Sequence, residues 1–177
     1  FRKKFKDYYP TLFAQSEDIE FNKLLSSQIK SFISPFGELV DKASPTLANI
    51  RKQINKIRGQ LGGSFNKALS HYASQGFLDD IRESVVDNQR VLAVQAMYRK
   101  KVNGAIMGNS KTGSIVYIAP EATLHLSREL QNIKYEEQEE IVKILKDLTN
   151  MIRPYSALLQ KYQDHLSHLD SIGARAK

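Results

Sequence analysis

Two long runs of apolar residues at helical spacing, with a short β-like stretch between them, limit what this chain can fold into more than any other feature. In the first run Leu47, Ile50, Ile54, Ile57 and Leu61 step by three or four positions, and the pattern resumes at Phe65, Leu69 and Tyr72. That spacing predicts one apolar stripe along a helix over residues 44–76. Ser44-Pro45 is a strong start for it: a Ser hydroxyl accepts from an orphan backbone N–H, and Pro at the first helical position gives up a donor that had no partner. Gly59, Gly62 and Gly63 interrupt the stripe. Each weakens a helix by about 1 kcal/mol against Ala, so a bend or looser packing is expected there. A continuous helix of about 30 residues would rise ~45 Å, longer than a compact bundle of this size uses.

The second run follows Pro120 and spans residues 120–151, with Glu121 favourably placed in the first turn. Leu124, Leu130, Ile133, Ile141, Ile144, Leu145, Leu148 and Ile152 mark its buried face. The stretch from Lys134 to Glu140 is nearly all polar, as expected where a helix crosses solvent. Pro154 should kink or end it. A third amphipathic piece follows, carrying Leu158, Leu159, Tyr162, Leu166, Leu169 and Ile172, and an earlier helix is predicted over residues 19–33.

From Arg82 onward the period changes. Residues 90–97, 102–107 and 114–118 are short, apolar or β-branched, and separated by turn formers. They predict three antiparallel strands in a meander, with a possible fourth near Ser84 to Asp87 and turns at Arg99-Lys100-Lys101 and at Asn109 to Gly113. So small a sheet needs helices beneath it. The expected fold is therefore mainly α with a small antiparallel β insert, divided as 1–81, 82–119 and 120–177.

Charge is distributed unevenly along this frame. Between Arg82 and Lys111 there are six basic and two acidic residues, whereas between Glu121 and Asp147 seven acidic residues face four basic ones. A basic tip on an acidic arm suits a phosphate backbone, and the net charge of +7 agrees with an anionic partner. Arg99, Lys100, Lys101 and Lys111 are the candidate phosphate contacts, with Arg90 a weaker one. The same run of three is also what an ordinary solvated turn looks like.

Catalytic and metal chemistry find little support. With no cysteine in the chain, disulfides, thiolate metal sites and cysteine nucleophiles are excluded. That absence fits a reducing, cytoplasmic setting. No apolar run approaches the ~20 residues of a membrane span, and the opening Phe-Arg-Lys-Lys-Phe-Lys has no apolar signal core. The first residue is not Met, as expected of a piece of a longer protein. Gly104 to Thr112 only superficially suggests a phosphate loop: three residues separate its glycines and Lys111 does not follow the second directly. His165 and His168 could share a helix face but lack further ligands. Glu136, Glu137, Glu139 and Glu140 have no Glu-x-x-His companion and read as a solvated face.

Three stretches carry a resemblance. Phe36-Gly-Glu-Leu-Val-Asp-Lys-Ala-Ser-Pro-Thr-Leu-Ala-Asn-Ile-Arg51, Arg90-Val-Leu-Ala-Val-Gln-Ala-Met-Tyr-Arg-Lys-Lys-Val-Asn-Gly104 and Gly113-Ser-Ile-Val-Tyr-Ile-Ala-Pro-Glu121 resemble segments of the MutS family. The likeness is to its bacterial anti-recombination branch, MutS-two, whose members end in an Smr domain. Ala93 stands where Pro is usual there, Gln95 where Lys is usual and Ala119 where Glu is usual. These departures bear on clamp contacts and not on the architecture.

The resemblance implies a core and a helical lever of antiparallel helices, with the β insert as a clamp at the lever's tip. It implies no cofactor in this piece, since ATP and Mg would belong to an ATPase domain beyond Lys177. For the whole protein it implies a homodimer clamping branched or structured DNA, suppressing recombination and engaging stalled ribosomes or their rRNA, away from any membrane. This piece would be non-catalytic. The rival expectation is a helical protein-interaction module in which Met97, Tyr98 and Tyr117 form a docking surface and nucleic acid is not touched.

Overall fold

The computed structural model describes residues 4–15, 17, 19 and 21–175. Residues 1–3, part of the basic opening of the chain, lie outside the described residues. The chain divides into two compact units, Phe1–Ser44 with Ile141–Lys177, and Pro45–Glu140. Mainly helical overall, it carries one small antiparallel sheet.

In the first unit, α1 spans Pro10–Gln15, with proline at its first position, where it costs no hydrogen bond. Helix α2 runs Lys23–Phe32 and not from residue 19 as the periodicity suggests. The boundary is set by Asn22, whose Oδ1 accepts from the Leu25 N–H at 2.9 Å. The Asn22 N–H in turn donates to the Tyr162 hydroxyl at 2.9 Å, tying the start of α2 to helix α5, Ser156–Arg175. Among the described residues, Leu25, Ile144 and Leu148 are the buried apolar side chains of this unit. Pro154 ends the long second helix as expected, in a 3-10 turn over Arg153–Tyr155.

The second unit is built on helix α3, Pro45–Ser74, and the first part of helix α4, Glu121–Ile152. Ser44 is extended, with φ −150° and ψ 140°, as a helix-capping position requires. Ile50, Ile54 and Ile57 of α3 pack with Ile133 of α4, and Leu130 lies against them. Arg51 meets Glu137, while Phe65 and Thr123 line a common cleft farther along, so the two helices run antiparallel. Helix α3 passes through its glycines without a break.

The sheet has four strands: β1 Leu78–Val86, β2 Gln89–Gln95, β3 Gly104–Asn109 and β4 Ile115–Pro120. Their spatial order is β1-β2-β4-β3, all pairs antiparallel. This corrects the expected meander: β2 does not turn back into β3 but pairs with β4, and β3 lies on β4's far edge. A 3-10 helix, Ala96–Lys101, makes the crossing. The cause is apolar. Val102 is buried in the cluster beneath the sheet, and Ala96 and Tyr98 pack against it; a tight hairpin at Arg99 to Lys101 would leave all three in water.

The fourth strand is real and longer than its pattern suggests, because irregular pairing between Leu78 and Glu83 obscures its alternation. Its turn is two residues, Asp87 and Asn88, with φ 48° and 60°, the positive values that match the twist of a tight hairpin. The core below the sheet joins Phe65 of α3 to Leu78, Leu92, Val94, Val102, Val116 and Ile118. Gly104 starts β3 so close to Ala119 that a side chain there would strike its carbonyl oxygen.

Candidate nucleic-acid interface

Arg99, Lys100 and Lys101 occupy the last turn of the 3-10 helix and all are exposed. Apolar neighbours hold that helix against the unit's core. Phe77 and Tyr98 stack with centroids 4.9 Å apart, and the Lys101 ammonium lies 5.4 Å from the first ring and 5.6 Å from the second. The Asn103 N–H donates to the Tyr72 hydroxyl at 3.2 Å, fixing the segment's far end to α3. Arg99 and Lys100 have no ion pair among the described residues, so their charges face solvent from a firm base. Lys101 differs: its charge is shared with two aromatic faces.

Lys111 sits in a separate turn. Ser110, Thr112 and Ser114 form a chain of hydroxyl contacts at 3.3 and 2.8 Å, and Gly113 takes φ 71° to close it. The Ala96 N–H donates to the Ser114 carbonyl at 2.9 Å, so this turn lies at the same end of the sheet as the start of the 3-10 helix. Arg90 is elsewhere. It pairs with Val85 beside the Asp87-Asn88 turn, at the sheet's opposite end. Its guanidinium lies 4.2 Å from the Phe65 centroid and donates to Glu83 Oε2, from Nε at 3.2 Å and from Nη2. The five candidates therefore form one run of three, a neighbouring lysine and one distant, already paired arginine.

Around Arg90 the structure gathers Arg58, Arg128 and Lys134, which lie far apart in sequence and do not stand out there. The signal for them is their inward position on two helices that face each other. Among the docking-surface candidates, Met97 is 76% exposed, whereas Tyr98 and Tyr117 are half-buried. Among the described residues no group of three or more His, Asp or Glu side chains is placed to hold a metal ion, and no helix is long and apolar enough to cross a membrane.

No family model matches the chain. It is 32% identical over 166 residues to a protein named Endonuclease MutS2 from Lacticaseibacillus paracasei, covering 94% of this chain and 21% of that protein. A protein of the same name from Agathobacter rectalis is 33% identical over 171 residues, 97% of this chain and 21% of its own length. Another from Acetivibrio thermocellus is 31% identical over 159 residues, 90% of this chain and 20% of its own. The chain thus spans no more than 22% of the length of these curated relatives.

Proposed function

The chain belongs to the MutS2 family as a segment of it, and from that premise we propose that it is the family's lever and clamp, gripping nucleic acid by its phosphates. In this reading residues 1–81 are core and ascending lever, 82–119 the clamp, and 120–177 the descending lever and return to the core. The observation that carries it is the pair Arg99 and Lys100: two exposed cations without ion pairs among the described residues, held on a short helix that Tyr98, Val102 and Tyr72 fasten to the apolar core. Charges on a firm base lose less conformational freedom when they meet a phosphate than charges on a loose loop.

The whole protein, in this proposal, is a cytoplasmic homodimer that closes on branched or structured DNA, suppresses recombination and engages stalled ribosomes. ATP and Mg are held outside this segment, which supplies grip and mechanical coupling and no catalytic group. The relatives carry the word endonuclease in their name; that activity is assigned here to the remaining four-fifths of their length.

The test is binding of the chain to a four-way DNA junction, linear duplex and structured RNA across a salt series. Replacing Arg99, Lys100 and Lys101 by Ala should weaken binding and flatten the log–log salt slope. The expected change is about 0.9 for each duplex phosphate no longer neutralised, and up to about 2.7 for the three. An unchanged slope would sink the assignment. A second reading, docking of a protein partner, is favoured by Met97 at 76% and Ile106 at 51% exposure. It expects association that survives high salt and fails in Met97→Lys.

A further inference from the structure

The seam between α3 and α4 changes character partway along. Where Ile50, Ile54 and Ile57 meet Ile133 it is apolar and closed. One turn further it opens into a cleft of about 740 Å³, bounded by both helices and the Asp87-Asn88 turn. The change is written in the residue types. Arg58, Leu61, Gly62 and Phe65 present the α3 wall at intervals of three and four, and Leu124, Ser127, Arg128 and Gln131 present the α4 wall in the same way. Positions that would normally close such a seam with Leu or Ile hold a glycine with open space beside it, a serine and two arginines.

Such a composition sacrifices packing. It leaves Arg58, Arg128 and Lys134 around one space with no ion pair among the described residues, facing a single carboxylate, Asp87. The fourth cation, Arg90, is neutralised by Glu83. Within the wall, Ser127 Oγ is buried and has no hydrogen-bond partner. Three convergent cations and an unused hydroxyl, above a floor of Leu61, Phe65 and Leu124, match a doubly charged tetrahedral anion with an apolar body.

We propose that this cleft is a binding site for a phosphate ester, distinct from the exposed Arg99–Lys101 run. Arg58 and Arg128 close on the phosphate from opposite helices, Lys134 adds charge, and Ser127 donates its hydroxyl. The phosphate has two possible sources, a free nucleotide or a nucleic-acid backbone.

The experiment titrates the folded chain at fixed ionic strength with inorganic phosphate, thymidine monophosphate and a single-stranded oligothymidylate, following backbone amide shifts. Saturable shifts centred on Gly62, Asn88 and Ser127 are expected. Affinity should fall at least about tenfold in the triple variant R58Q/R128Q/K134Q, where charge-assisted hydrogen bonds to the anion are removed, and should largely survive in R58K/R128K. Thymidine monophosphate binding as well as the oligonucleotide assigns a free nucleotide. A much tighter oligonucleotide, released in the same triple variant, assigns the backbone. Absence of saturable shifts with all three probes overturns the proposal. So does binding that is untouched by the triple variant and abolished by R99A/K100A. Because the shifts are read in the unaltered chain, a variant that fails to fold does not obscure the answer.

Discussion

Arg51 and Glu137 lie 86 positions apart in sequence and meet across the two long helices, Arg51 Nε donating to Glu137 Oε1 at 2.8 Å. Their side chains are only 27% and 20% exposed, so the contact sits at the flank of the Ile50–Ile54–Ile57–Ile133 seam and not out in water. An apolar seam alone tolerates sliding by one turn. A charged pair at one level does not, because a slip would leave both charges half-buried and unpaired. The pair therefore fixes the register of α3 on α4.

A double-mutant cycle with Arg51→Met and Glu137→Gln measures that role. Each single change should lower stability by about 1 kcal/mol, within the range for partly exposed ion pairs and charge-assisted hydrogen bonds. The double variant should lose less than the sum. A coupling energy indistinguishable from zero in denaturant melts would mean that the isoleucines alone set the register.

Two glycines should respond in opposite directions to the same substitution. At Gly104 an added Cβ would strike the Ala119 carbonyl oxygen and approach Ile118 Cγ2 at 2.8 Å. Backbone cannot step aside cheaply, so Gly104→Ala should cost about 2–3 kcal/mol, the upper part of the overpacking range. At Gly59, inside α3, nothing lies within 4 Å of the same position. There Gly59→Ala should stabilise by about 0.5–1 kcal/mol through helix propensity alone. Thermal melts of the two variants decide the point, and a stable Gly104→Ala would show that β3 can shift away from β4.

The Asp87-Asn88 turn makes a third prediction. Both residues hold positive φ, 48° and 60°, which Asn and Asp tolerate and β-branched residues do not. Asn88→Gly should be neutral or stabilising, whereas Asn88→Val should cost about 1–2 kcal/mol. Amide exchange at Val85 and Arg90, which pair across the hairpin, reports whether the loss is local to β1 and β2.

How far these features are legible in the residues depends on the range of the interactions behind them. The two long helices can be read because their apolar spacing repeats locally, and α3 and α4 end within a few residues of the pattern. The strand order cannot. Whether the chain after Gln95 turns back or crosses over is decided by where Tyr98 and Val102 bury themselves, against Phe77 and the cluster below the sheet. Strand β1 reads short because its bulge breaks the alternation on which the reading relies. Glu137 reads as part of a solvated acidic face, since its partner Arg51 lies on another helix. Of the basic residues, the run Arg99 to Lys101 declares itself by adjacency. The group at the α3–α4 cleft exists only once the helices are placed, since α3 supplies Arg58 and α4 supplies Arg128 and Lys134.

Ser127 ties stability to the cleft. Its Oγ is buried without a hydrogen-bond partner, and a hydroxyl in that state costs more than the methyl group that could replace it. Ser127→Ala should therefore raise stability, by about 1 kcal/mol if the full desolvation penalty is relieved. A hydroxyl kept only for helix surface or solubility would give no such gain. The same variant should bind thymidine monophosphate more weakly than the unaltered chain, because the missing group is a donor to the anion. A gain in stability together with a fall in affinity is the mark of a group held for a ligand. A gain in stability with affinity unchanged would separate Ser127 from the site and leave the cations to carry the binding alone.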